Sequence, residues 1–206
     1  DYEFMGLKCS IGDVSNRIQA SELQDKGVLA NCHVNVLQTQ DHPQFKTYGE
    51  ELKWLTTDKT RMKWVANTIK DISSSGNTLI LVDRISAGQI LQEQIDDAVF
   101  VSGSTKNTDR KEQYDEISTA TNKVIIATYG VASVGINIPR IFNLVLIEPG
   151  KSFVRVIQSI GRGIRKAEDK ENVQIWDITS SCKFAKRHLG ARKKFYKEAN
   201  YPYNIE

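Results

Sequence analysis

KVIIATYGVASVGINIPRIFNLVLI, residues 123–147, is the stretch whose reading decides the fold. It opens and closes on short apolar runs, KVIIA (123–127) and NLVLI (143–147), too short for buried helices and rich in β-branched residues. Such runs read as strands buried on both faces, the pattern of a parallel sheet. Between them lie two glycines, an asparagine and an Ile-Pro step, which read as a loop.

Working outward, the same rhythm recurs at TLILV (78–82), AVFV (98–101) and VQIWDI (173–178), and an alternating run, HVNVLQ (33–38), precedes them. Helix-compatible stretches fall between and after these runs, at 86–95, 109–120, 152–161 and 182–199. From Phe45 to about Ile72 the spacing of Leu52, Leu55, Met62, Val65 and Ile69 also favours helix. A polar stretch, SNRIQASELQDKGVLAN (15–31), reads as helical with Gly27 as its stop. Strands alternating with amphipathic helices predict βαβ units, an α/β fold whose mostly parallel sheet is flanked by helices on both faces.

Composition narrows the class. With 40% hydrophobic and 26% charged residues the chain has the make-up of a globular domain. No apolar run approaches the roughly 18 residues of a membrane span, so a cytoplasmic protein with no membrane partner is expected. Cys9, Cys32 and Cys182 are widely spaced, and His33, His42 and His188 show no ligand spacing, so no metal site is expected. The opening DYEFMGLKCS reads as an interior stretch of a longer protein. Charge is uneven. Residues 1–150 hold 15 Lys and Arg against 19 Asp and Glu, a net of −4; residues 151–206 hold 13 against 6, a net of +7. A basic quarter on an acidic body points to an anionic partner met by one region, although a basic helix can also serve only as a solvated face.

In parallel sheets the loops after the carboxyl ends of the strands carry the ligands. The first is VDRISAGQIL, with Asp83 and Arg84 at the strand end and Ser86 as a candidate helix cap. The second is VSGSTKNTDR, where Gly103, Ser104 and neighbouring hydroxyls and amides, with Lys106 and Arg110, suit either a phosphate or a capped surface turn. The third is ATYGVASVGINIP, where Thr128 ends the strand, Gly130 and Gly135 permit close backbone approach, and Asn137 can hydrogen-bond a sugar or the backbone. The fourth, EPGKSFVRVIQSIGRGIRK, is the sharpest. At about 100° per residue Arg155, Gln158, Arg162 and Arg165 share one helical face. Phe153, Val154, Ile157, Ile160 and Ile164 fall on the other. Guanidinium groups fork onto phosphate oxygens and stay charged, so this face is an anion clamp unless it is merely solvated. In the tail, Lys183, Lys186, Arg187, Arg192, Lys193, Lys194 and Lys197 suit a nucleic-acid backbone, with Phe195 or Tyr196 to stack on a base. An amphipathic helix that closes the domain is the equal alternative.

In order, these segments resemble the C-terminal RecA-like lobe of superfamily 2 helicases. LILVDR resembles motif IV, VSGSTKNTDR the segment after it, ATYGVASVGINIP motif V and QSIGRGIRK motif VI. Asn137 stands where many relatives carry Asp, and Ser159 where motif VI often places Arg. The resemblance implies a RecA-like three-layer domain over 45–181, a leading interlobe segment over 1–44, and a basic C-terminal helix and tail over 182–206. It implies arginine fingers at Arg162 and Arg165 on the ATP γ-phosphate, ordered by Gln158, with Gly135 and Asn137 beside the nucleotide. Gly103, Ser104, Arg110 and Thr128 would touch the nucleic-acid backbone. The similarity is greatest to bacteriophage helicases of recombination and repair, which implies branched or single-stranded DNA, or an RNA–DNA hybrid, as partner, and forks, Holliday junctions and R-loops as substrates in a host cytoplasm. No GxxxxGK[ST] loop occurs, and no acidic DExx box stands after a strand. Phosphoryl transfer needs both, so ATP and Mg²⁺ are expected mainly on an N-terminal lobe, and this chain alone is expected to be inactive. A non-catalytic RecA-like binding module and a small nucleotide-binding regulator are the competing readings.

Overall fold

The computed structural model describes residues 3–4, 32–103, 109, 111–112, 121–133, 141–150, 156–157, 173–199, 201 and 203–205. Its strands are β1 (Glu3–Phe4), β2 (Cys32–Thr39), β3 (Thr78–Val82), β4 (Val99–Val101), β5 (Val124–Thr128), β6 (Asn143–Ile147), β7 (Val173–Ser180) and β8 (Tyr203–Ile205). The helices described are α1 (Tyr48–Thr57), α2 (Lys59–Ser73), α3 (Ile85–Gln94), α4 (Tyr129–Ser133) and α5 (Lys183–Glu198). All eight strands form one sheet in the order β1-β8-β2-β7-β6-β3-β5-β4. Every pairing from β8 to β4 is parallel, and only the two-residue β1 runs antiparallel.

β3, which is buried throughout, sits between β6 and β5, with Leu79 opposite both Leu144 and Ile125. Alternation along these strands divides the core in two. Leu79, Leu81, Ile125, Ala127, Leu144 and Leu146 face one way and pack with Val156, Ile157, Leu189 and Tyr196. Ile80, Val82, Ile126, Val145 and Ile147 face the other way and pack with Met62, Val65, Ile69, Ala87 and Leu91. α2 and α3 therefore cover one face, and α5 with the helical pair 156–157 covers the other. The architecture is the expected three-layer α/β sandwich.

Three local expectations are corrected. The helix expected from Phe45 to Ile72 is two helices, because Asp58 ends α1 and starts α2, its carboxylate accepting from the Arg61 amide at 3.0 Å. Ser86 lies inside α3 rather than capping it; Arg84 holds the cap position with no side-chain cap bond. The tail also re-enters the sheet: β8 pairs in parallel with β2, Val34 opposite Tyr203 and Val36 opposite Ile205. The sheet thus extends on both sides of the 45–181 span. The polar stretch 15–31 lies outside the described residues.

Candidate functional site

Four sequence segments of interest leave the sheet at the carboxyl ends of β3, β4, β5 and β6. Gly103 follows β4, is exposed and has open space where a Cβ would stand. Thr128 ends the adjacent β5, half-buried, its hydroxyl accepting from the Val131 amide at 3.3 Å to cap α4. Val101 is opposite Ala127, so these two positions share one corner of the sheet. Lys193, half-buried, and Lys194, exposed, lie on α5, which packs against β7. Three strand spacings, about 14 Å, separate β5 from β7, so the fold does not bring these lysines to that corner. Ser104, Arg110, Gly135, Asn137, Gln158, Arg162 and Arg165 lie outside the described residues. Of the fourth loop's helix, Val156 and Ile157 are described, both helical and buried.

The root of that fourth loop is braced from several elements. The Tyr129 hydroxyl donates to the Ile147 carbonyl at 2.9 Å. Glu148 has a φ of 45°, unusual for a residue with a Cβ. Its carboxylate pairs with Arg61 Nη2 at 2.6 Å and accepts the Thr179 hydroxyl at 3.1 Å. Arg61 itself donates to the Leu55 and Thr179 carbonyls. Arg192 Nη1 donates to the Pro149 carbonyl at 2.7 Å. A Cβ at Gly150 would stand 3.0 Å from the Tyr48 hydroxyl.

Behind this root, Arg192 forks onto Asp177, Nε to Oδ2 at 2.7 Å and Nη2 to Oδ1 at 2.9 Å, and the Tyr196 hydroxyl adds a third bond at 2.7 Å. Asp177 and Tyr196 are fully buried and Arg192 nearly so. Arg192 and Tyr196 are therefore interior groups, which corrects their expected roles of backbone contact and base stacking. Phe195 packs on the core, edge-on to Tyr196 and Tyr201. The sequence carried one signal for this hub: Asp177 interrupts an apolar strand, and a buried charge needs a partner.

Burial pushes the Glu148 carboxyl up to about 7, against the pull of Arg61 and Arg192 and the Thr179 hydroxyl. Burial, reinforced by the charges of Asp83 and Glu148, also raises the Tyr48 phenol. No group of three or more His, Cys, Asp or Glu among the described residues is placed to hold a metal ion. No described helix is long and apolar enough to cross a membrane.

A parallel sheet carrying its distinctive loops at the carboxyl ends of neighbouring strands defines a class, and the model of the helicase conserved C-terminal domain matches residues 60–167. The chain belongs to that family, as the C-terminal, RecA-like lobe of a superfamily 2 helicase. Over 210 residues it is 27% identical to the ATP-dependent DNA helicase uvsW of Enterobacteria phage T4, covering 97% of this chain and 41% of that protein. It is 29% identical over 137 residues to putative helicase 22 of Sulfolobus islandicus filamentous virus (isolate Iceland/Hveragerdi), covering 65% of this chain and 24% of that one. The crystal structure of T4 UvsW shares the fold at a TM-score of 0.74 and 23% identity, over 85% of this chain and 41% of that one. S. cerevisiae Dbp5 bound to RNA and ADP BeF3 shares it at 0.57 and 13%, over 87% and 42%. The chain thus spans about two fifths of the T4 relative.

Proposed function

We propose that this chain is the second motor lobe of an ATP-dependent helicase that remodels branched DNA, completing a nucleotide site held mainly by another lobe. One observation carries the reading. The segments resembling motifs IV, V and VI follow in sequence on β3, β5 and β6, three adjacent strands of the sheet. Ligands of open parallel sheets bind along that edge.

The donor set fits a phosphate and not a metal. Arg162, Arg165 and Gln158 supply guanidinium and amide N–H groups, while of the carboxylates near this edge Glu148 and Asp177 are buried in ion pairs and Asp83, just after β3, pairs with Arg84. Mg²⁺ and the phosphate cradle then belong to the other lobe, and this chain by itself does not turn over ATP. ATP, when bound between lobes, supplies the γ-phosphate and the free energy of its transfer. Arg162 and Arg165 neutralise the charge that develops there, a contribution worth about 10³ to 10⁵ in rate. Gln158 orders the two guanidinium groups, and Gly135 and Asn137 lie against the nucleotide. Because the arginines grip one lobe's ligand from the other, their contact biases the pair of lobes toward closure. Gly103, Ser104, Arg110 and Thr128, with Lys193 and Lys194 on α5, hold the nucleic-acid backbone; such contacts favour salt-sensitive binding of low sequence specificity.

Arg162→Ala and Arg165→Ala in the two-lobe protein test this. DNA-stimulated ATPase should fall by about 10³ or more while DNA binding persists. Normal turnover in both variants overturns the assignment. Unwinding of forked DNA, four-way junctions and RNA–DNA hybrids by the same protein defines its substrate.

A further inference from the structure

The outward face of α5 has a composition the fold does not explain. At about 100° per residue, Lys183, Lys186, Arg187, Lys193, Lys194 and Lys197 fall in one sector about 120° wide. The sole other residue in that sector is Gly190, at its middle. The buried positions Ala185, Leu189, Arg192 and Tyr196 lie opposite. None of the six cations forms an ion pair with another described residue. Like charges three or four apart on a helix repel one another, and the acid at the start of α5, Glu51, accepts the Phe184 and Ala185 amides and forms no ion pair with Lys183 or Lys186. Gly190 costs about 1 kcal/mol relative to alanine, yet its φ is not left-handed and an added Cβ would meet nothing within 4 Å. The face therefore disfavours the helix and serves no packing need; an external polyanion accounts for both features.

We propose that this face grips double-stranded nucleic acid, with phosphates of both strands held across one groove and Gly190 letting the backbone approach. The proposal rests on the reading of this chain as a nucleic-acid motor lobe for its choice of polyanion, and it adds the duplex. Two features select a duplex over a single strand. The cations form two groups, 183/186/187 and 193/194/197, whose centres lie about 14 Å apart at 1.5 Å per residue, a span that bridges a groove about 12 Å wide. Lys183 and Arg187 are each held over the Phe184 ring at 5.5 Å, which fixes one end of the grip. Nor does the face offer a platform for bases: Phe184 lies beneath those two cations, Phe195 packs on the core, and Tyr196 is buried. Single-strand binders rely on exposed aromatic stacking.

Fluorescence anisotropy on the 206-residue chain without nucleotide tests this, using a duplex of about 20 base pairs and one of its strands between about 50 and 200 mM salt. The duplex should bind at least about tenfold more tightly, and Lys186→Gln with Lys194→Gln should flatten the slope of log affinity against log salt by about 2. Gly190→Leu, which favours the helix, should retain the circular dichroism of the parent and weaken duplex binding about tenfold or more while leaving charge unchanged. Equal affinity for the single strand, an unchanged slope, or full duplex affinity in Gly190→Leu overturns the proposal. The arginine-finger reading is tested by turnover alone, so the two fail separately.

Discussion

Arg192→Met removes the donor on which the deepest ion pair depends. Asp177 then keeps only the Tyr196 hydroxyl of its three donors, and the Pro149 carbonyl loses its 2.7 Å bond. Removing one partner of a buried pair strands the other charge, at a cost of about 3–5 kcal/mol. Against a total stability of about 5–15 kcal/mol, that is a large share. For a chain of this size it corresponds to a fall in Tm of roughly 6–20 °C. Urea unfolding followed by tryptophan fluorescence measures it. Trp176, on β7 beside Asp177 and bonded to Asn143 at 3.2 Å, provides a probe close to the pair. Adding Asp177→Asn removes the stranded charge and should restore at least about 1.5 kcal/mol, the coupling expected of neighbours sharing hydrogen bonds. A loss under about 1 kcal/mol in Arg192→Met, or no coupling in the double variant, refutes the view that this pair anchors α5 to the root of the fourth loop.

Two further outcomes follow from the same region. The raised Glu148 carboxyl is stabilised by its proton, so its contribution is present below its ordinary value of 4.5 and lost as pH rises through about 7; the parent should therefore lose stability relative to Glu148→Gln between those limits, and parallel urea midpoints across that range would exclude the effect. Glu51→Ala should cost about 1–2 kcal/mol, read by thermal unfolding, because both Glu51 carboxylate oxygens accept amides at the start of α5, from Phe184 at 2.9 Å and Ala185 at 2.8 Å.

The sheet was legible in the chain because its signal is local. TLILV, KVIIA and NLVLI each hold four consecutive apolar residues after a polar first one, as a strand covered on both faces requires; the observed β3, β5 and β6 lie within one residue of those runs. The order of the loops at the strand ends follows from the same alternation, so LILVDR and the start of ATYGVASVGINIP could be read in place at the ends of β3 and β5. Partnership was not legible. Arg192 and Lys194 are both cations on one basic helix, yet one is interior and the other exposed. That difference depends on helix phase relative to the sheet and on Asp177 waiting on a strand 15 residues earlier. Likewise, Glu148 follows a strand as an ordinary loop acid, and its partner Arg61 is 87 residues away.

The sequence by itself determined the class and the strand sites, because buried strands and strand-end loops leave their mark in adjacent residues. Tertiary structure alone decided which charges became interior struts and which face of α5 stayed cationic. Desolvation acts on a group only after distant segments close over it, so no local pattern encodes the outcome.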